Sequence, residues 1–234
     1  MARLQLAKPC LDLCLFTNNA ARLVPFWQDT MGLAAEDSLQ IREGLTQYRF
    51  NTANSVVKLN AYDKPVEPGP IGGFRELLIA RNELLEPHRY GDPDGNLVSL
   101  VPMGYLHATQ IAVRTVVRNL SAAARFYDNV LGLEVSAGSG EGRVAIGESV
   151  LLLYEDSSAN LNPPVHAPGW RFITLQIFDA NGLYQQVIAR GGASGQAPKT
   201  VGNIARYALV RDPDGNWVEL SQRASLTGPI DGAG

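Results

Sequence analysis

The chain has 234 residues, 45% of them hydrophobic and 18% charged, with a formal net charge of −3. That is the composition of a folded globular protein with material for one large or two ordinary domains, and it excludes a disordered chain. No basic run supports sequence-independent nucleic-acid binding, and no apolar run reaches membrane-spanning length.

The opening stretch, MARLQLAKPC, lacks the apolar segment of a secretory signal, so a cytoplasmic protein is expected. The two cysteines, Cys10 and Cys14, follow in CLDLC. On a strand they share a face about 13 Å apart, too far for a disulfide. With no second Cys or His cluster they read as small buried residues rather than a zinc pair. LDLCLF alternates, with Leu11, Leu13 and Leu15 on one face and Asp12, Cys14 and Phe16 on the other, as a half-buried strand does. TNNA is placed to cap a helix that ends at Gly32, with Pro25 expected in its first turn. Strands LTQYRFN and SVVKLNAY follow.

The same order then recurs. Phe26-Trp27 and Gly32-Leu33 of RLVPFWQDTMGL correspond to Phe126-Tyr127 and Gly132-Leu133, one hundred residues on. GDPDGNLVSL and RDPDGNWVEL correspond at an offset of 120. In each DPDG turn Pro supplies φ near −65°, Asp accepts a local hydrogen bond and Gly takes φ > 0, joining two strands. The second half reads as QIAVRTVV, a helix capped around Asn119 and Ser121, GRVAIG and SVLLLYE. Then come FITLQIF, the helix NGLYQQVIARGG, ARYALV and WVELSQ. Each unit is β-α-β-β-β. The second unit is short, with 29 residues from Asp63 to Asp92 against 56 from Asp156 to Asp212. FRELLIARNELLEPHRY therefore reads as two strands without a full helix.

A strand, FYDNVLGL on a helix and a closing DPDGNWVEL resemble the vicinal oxygen chelate superfamily, which holds glyoxalase I, bleomycin-resistance proteins and extradiol dioxygenases. The resemblance covers nearly the whole chain. It implies an α+β fold of tandem βαβββ modules forming two half-barrel glyoxalase-like domains, the second module truncated. The expected boundaries are 1–104, 105–225 and a tail, 226–234. Where family members hold a divalent metal, the resemblance implies His and Glu ligands on the first and last strands of each module. The matching positions here are Asp12, about Lys58, Ser99, Ala112, about Leu152, Phe172 and Glu219. Glu219 alone keeps a family-type ligand, with Asp12 a lesser second. No cofactor is expected, and a divalent metal is not favoured.

By alternation, the first half turns Asp12, Cys14, Lys58, Asn60, Tyr62 and Ser99 inward, and Asp12 and Lys58 can pair where a metal would sit. The second half turns inward Ala112, Arg114, Leu152, Tyr154, Phe172, Thr174, Gln176, Trp217 and Glu219. Arg114, Tyr154, Phe172, Thr174, Gln176, Trp217 and Glu219 are the expected ligand-binding residues of one mostly apolar pocket. The partner of Arg114 is either Glu219 or a ligand carboxylate. If modules 1 and 4 pair, Asp12, Lys58, Phe172 and Glu219 gather; the order of pairing is open. His107 is expected on the far face of its strand, His166 in a solvated Pro-rich loop, and His88 on a strand facing the first cup or its back. The expected function is binding of a small organic ligand, without nucleic-acid or membrane partners and compatible with a homodimer. The alternatives are a glyoxalase-like lyase or isomerase, an extradiol-type dioxygenase with an atypical site, or a structural scaffold.

Overall fold

The computed structural model describes residues 3–230. The first module comprises β1 (Leu6–Thr17), α1 (Ala20–Pro25), β2 (Ala34–Ala35), β3 (Leu39–Arg42), β4 (Leu45–Thr52) and β5 (Ser55–Tyr62). The second has only strands: β6 (Phe74–Arg81), β7 (His88–Gly91) and β8 (Leu97–Pro102). The third has β9 (Ile111–Val117), α2 (Leu120–Arg125), β10 (Glu134–Ala137), β11 (Glu141–Ile146) and β12 (Ser149–Glu155). The fourth has β13 (Gly169–Ile177), α3 (Ala180–Ala189), β14 (Ala193–Val201), β15 (Ala205–Arg211) and β16 (Trp217–Arg223), followed by α4 (Ala224–Thr227). No helix lies between Phe74 and Tyr90, in keeping with the short second unit. Of the expected tail, residues 231–234 lie outside the described residues.

The sheets cross the halves of the chain. One runs β14-β15-β16-β13-β1-β5-β4-β2, with β3 also on β4; the other runs β10-β11-β12-β9-β6-β8-β7. At the centre of the first, β1 lies antiparallel to β13, and in the second β6 lies antiparallel to β9. Module 1 thus pairs with module 4, and module 2 with module 3. A cut at 104/105 does not separate the sheets, because each draws strands from both sides of it. Strand alternation determines which face a residue takes but not which strand lies beside it.

Leu11, Leu13 and Leu15 lie on the face away from the cup, in one apolar core with Trp27, Phe50, Ile173, Leu77, Val113 and Tyr127. That core holds the two sheets to one another. At the seam, Glu148 N–H donates to Pro9 C=O at 2.7 Å and the Ser55 and Ser149 hydroxyls lie 3.2 Å apart.

Two helix details differ from the sequence expectation. Pro25 is the last residue of α1 rather than part of its first turn, and a π-turn over Phe26–Thr30 follows it. The same π-turn follows α2 over Phe126–Val130, where Arg125 stands in place of proline, so proline is not its cause. Both end at a glycine of positive φ, Gly32 at 65° and Gly132 at 79°. Asn119 caps α2 by accepting from Ala122 N–H at 2.8 Å, whereas Asn19 makes no side-chain cap. In the first half Thr17 Oγ1 instead accepts from Asn19 N–H at 2.8 Å.

The DPDG turns are built alike. Asp212 Oδ1 accepts from the N–H of Asp214 at 3.0 Å and of Asn216 at 2.8 Å, and Asp92 does the same for Asp94 and Asn96. Asn216 then fastens its turn to the residue before β6 of the other sheet, its Oδ1 accepting from Gly73 N–H at 2.6 Å.

Candidate functional site

Strand register places the expected residues. Asp12 lies opposite Thr174 and Cys14 opposite Phe172 across β1 and β13. Lys58 of β5 lies beside Cys14, and Glu219 of β16 beside Thr174. A pseudo-twofold axis between β1 and β13 therefore relates Asp12 to Phe172 and Lys58 to Glu219. The four ligand-slot positions of modules 1 and 4 converge in the concave face of the first sheet.

Their chemistry is not that of a metal centre. Lys58 is 6% exposed. Its ammonium donates to Thr174 Oγ1 at 2.7 Å and to Glu219 Oε2 at 3.0 Å. Thr174 Oγ1 in turn donates to Glu219 Oε2. Asp12 does not pair with Lys58 as expected. Lys8 takes it at 2.7 Å, with Val56 N–H at 3.0 Å and Gln176 Nε2 at 3.3 Å. A register shift between Leu6 and Leu11 in β1 accompanies that i,i+4 contact. The slots hold two carboxylates already paired with lysines, an ammonium and a phenyl ring. Among the described residues no group of three His, Cys, Asp or Glu side chains could hold a metal ion. A resident divalent ion does not fit this donor set.

Apolar walls surround the polar knot. Phe16, Phe172, Trp217, Cys14 and Leu45 form one cluster, joined by Tyr62, Val165 and Leu209. The Lys58 ammonium lies 6.0 Å from the Phe172 ring centroid, and the Arg211 guanidinium 4.0 Å from that of Trp217. Trp217 Nε1 donates to Pro163 C=O at 2.7 Å, fastening the segment 156–168 across the wall. In that segment His166 Nδ1 lies 2.9 Å from Tyr62 Oη, and its ring meets Phe16 edge-on at 5.5 Å. Burial and the nearby Arg42 charge push the His166 pKa down, so the ring is neutral at pH 7. His166 is exposed in its Pro-rich loop, as expected, and also borders the cup through Tyr62 and Phe16; only the loop's return across the cup reveals those contacts.

Two buried groups are informative. Cys14 accepts from Asn60 Nδ2 at 3.0 Å, and burial pushes its thiol pKa well up, so it is a protonated wall group and not a nucleophile. Gln176 is 2% exposed, and its Oε1 has no hydrogen-bond partner. A buried acceptor without a donor is costly unless something supplies one.

Arg114 and Tyr154 do not share this cup. Both belong to the second sheet, and Arg114 meets Glu76, not Glu219, at 3.1 Å. Their inward alternation is as expected; one pocket shared with Glu219 would need module 3 beside module 4, an order the sequence leaves open, and module 3 lies beside module 2. Glu76, opposite Arg114 in register, was missed for the same reason. Ser99 faces the same cup and donates to Glu76 at 2.6 Å. His88 is exposed on β7 opposite Leu100, on the face away from Ser99. His107 lies in a 3-10 turn with φ 66° and not on a strand. A cleft of about 230 Å³ lined by Thr52, Ile79, Arg81 and Gln110 lies at the seam and contains none of the expected site residues.

The comparisons agree with this architecture. Residues 106–220 match the family model of the Glyoxalase/Bleomycin resistance protein/Dioxygenase superfamily. Glyoxalase I from Zea mays superposes with a TM-score of 0.71 at 17% identity, over 90% of this chain and 91% of that one. A mutant of the same maize protein gives 0.73 at 16%, over 92% and 94%. A putative dioxygenase from Bacillus subtilis gives 0.67 at 12%, over 95% and 86%. Among curated proteins none matches by sequence. Residues 106–220 thus match the Glyoxalase/Bleomycin resistance protein/Dioxygenase superfamily, and the whole chain is glyoxalase-like in fold. At these identities the structural likeness speaks for the fold and not for an activity.

Proposed function

We propose that this protein binds a small organic molecule in the cup of the first sheet, with the Lys58 ammonium standing where relatives place a metal cation. The observation that carries the reading is the Lys58–Thr174–Glu219 knot, set among Phe16, Phe172 and Trp217. A few polar groups among apolar and aromatic walls suit a small ligand: the walls supply affinity and the polar groups set orientation. A ligand carbonyl or hydroxyl can accept from Lys58, and a ligand donor can satisfy the orphaned Gln176 Oε1. Cys14, held as a thiol, supports binding rather than covalent chemistry. Entry is past the segment 156–168, whose His166–Tyr62 contact closes the mouth.

The test is a panel of neutral aromatic ketones and phenols, read by thermal shift and by tryptophan fluorescence. Binding should raise the melting temperature and perturb a signal that disappears in Trp217→Phe. It should also weaken in Phe172→Ala. A panel that shifts nothing, or a shift that Phe172→Ala leaves unchanged, rejects the reading.

A further inference from the structure

The second sheet forms its own cup, and its polar centre differs from that of the first. Glu76, 3% exposed, sits at the bottom on β6. Arg89 of β7 grips it with two hydrogen bonds, Nε to Oε1 at 3.0 Å and Nη2 to Oε2 at 2.9 Å. Ser99 adds a third at 2.6 Å. Burial pushes the Glu76 carboxyl up, but the bonds from Arg89 and Ser99 and the charges of Arg89 and Arg114 outweigh it and hold it below the usual range. It is therefore ionised at neutral pH and serves as a fixed anchor for two guanidiniums.

Arg114 is the group left over. Its Nε lies 3.1 Å from Glu76 Oε2 yet is buried with no hydrogen bond. Its side chain is 32% exposed, and it lies 5.5 Å from the centroid of the Tyr154 ring. One carboxylate thus faces two guanidiniums, and the excess is a single positive charge. On β11, Arg143 opposite Leu152 and Glu141 opposite Tyr154 face the same cup and cancel one another. Beside the charges lies an apolar floor of Leu78, Ala112, Val150 and Leu152.

We propose that this second cup is a separate binding site for a small organic carboxylate, received by the unused donors of Arg114 and the outer edge of Arg89. A planar fork with free N–H groups matches a carboxylate. One uncompensated positive charge matches a monoanion; a dianion would meet the repulsion of Glu76. The apolar floor and Tyr154 match an apolar or aromatic body. The assignment does not depend on the reading of the first cup.

The experiment is calorimetric titration of the full chain with benzoate, with benzamide as its neutral counterpart and inorganic phosphate as the alternative anion. Benzoate should bind at least tenfold more tightly than either. Arg114→Gln, which leaves Glu76 with Arg89 and Ser99, should weaken benzoate at least tenfold, and Val165→Ala on the wall of the other cup should leave it unchanged. Anomalous density from 4-bromobenzoate beside Arg114 would fix the place in a crystal. No benzoate binding, equal binding of benzamide, tighter phosphate, or full affinity in Arg114→Gln would each overturn the proposal. Bromine density among Phe16, Phe172 and Trp217 instead would place the ligand in the first cup and overturn it too.

Discussion

Lys58 and Glu219 are 161 positions apart in the chain, and their side chains meet at 3.0 Å. They are related by the pseudo-twofold axis of the first sheet, so two equivalent ligand slots hold opposite charges. Side-chain exposure is 7% for Lys58 and 15% for Glu219. A pair this buried carries a large desolvation cost, and removing one member strands the other. Lys58→Met should destabilise the fold by about 3 kcal/mol, while the double variant Lys58→Met/Glu219→Leu should recover most of that loss. Chemical denaturation of the four proteins of the cycle checks it; additive losses would show that the pair is not coupled.

Replacing the ammonium with a neutral donor should restore what the slots lack. Lys58→His would set an imidazole beside Glu219 and Asp12, a three-ligand set suited to first-row divalent ions. The variant should gain thermal stability with nickel or zinc, by about 3 kcal/mol at a hundredfold excess over Kd. The parent chain should not. A variant that folds and ignores both ions would mean that Asp12, held by Lys8, Val56 and Gln176, does not reach the slot.

The closing turn imposes a pH dependence. Burial raises the Asp212 pKa from 3.8 to about 6, with the bonds from Asn216 opposing and the charge of Asp214 adding. The folded pKa lies above the unfolded one, so the native state holds the proton longer. The stability this contributes is complete below about pH 4 and is lost as pH rises through about 6. Asp212→Asn lacks that loss. Relative to the parent it should gain on the order of 3 kcal/mol between pH 4 and pH 7. Urea unfolding across that range measures it, and parallel profiles would reject the assignment.

How far these features are legible in the sequence differs residue by residue. The offset between Phe26 and Phe126 is enough to read the modules, because a duplicated helix and turn leave the same local chemistry twice. Alternation along β16 is enough to turn Trp217 and Glu219 inward, where they lie. Arg114 also turns inward as read, but into the other cup. The choice of β6 rather than β13 as a neighbouring strand is long-range, and no local pattern carries it. Glu76 was invisible for that reason: its meaning comes from standing opposite Arg114. The Lys8–Asp12 pair was within reach, since i and i+4 share a strand face, but the register shift in β1 was not. His166 is defined by the return of a long loop, and loop paths leave little periodic signal.

The central claim, that an internal ammonium stands in the cation slot of the first cup, is tested most directly by elemental analysis of the purified full chain beside its Glu219→Gln variant. The account predicts substoichiometric metal in both, and no change between them. About one tightly bound divalent ion per parent chain, lost in Glu219→Gln, would contradict it.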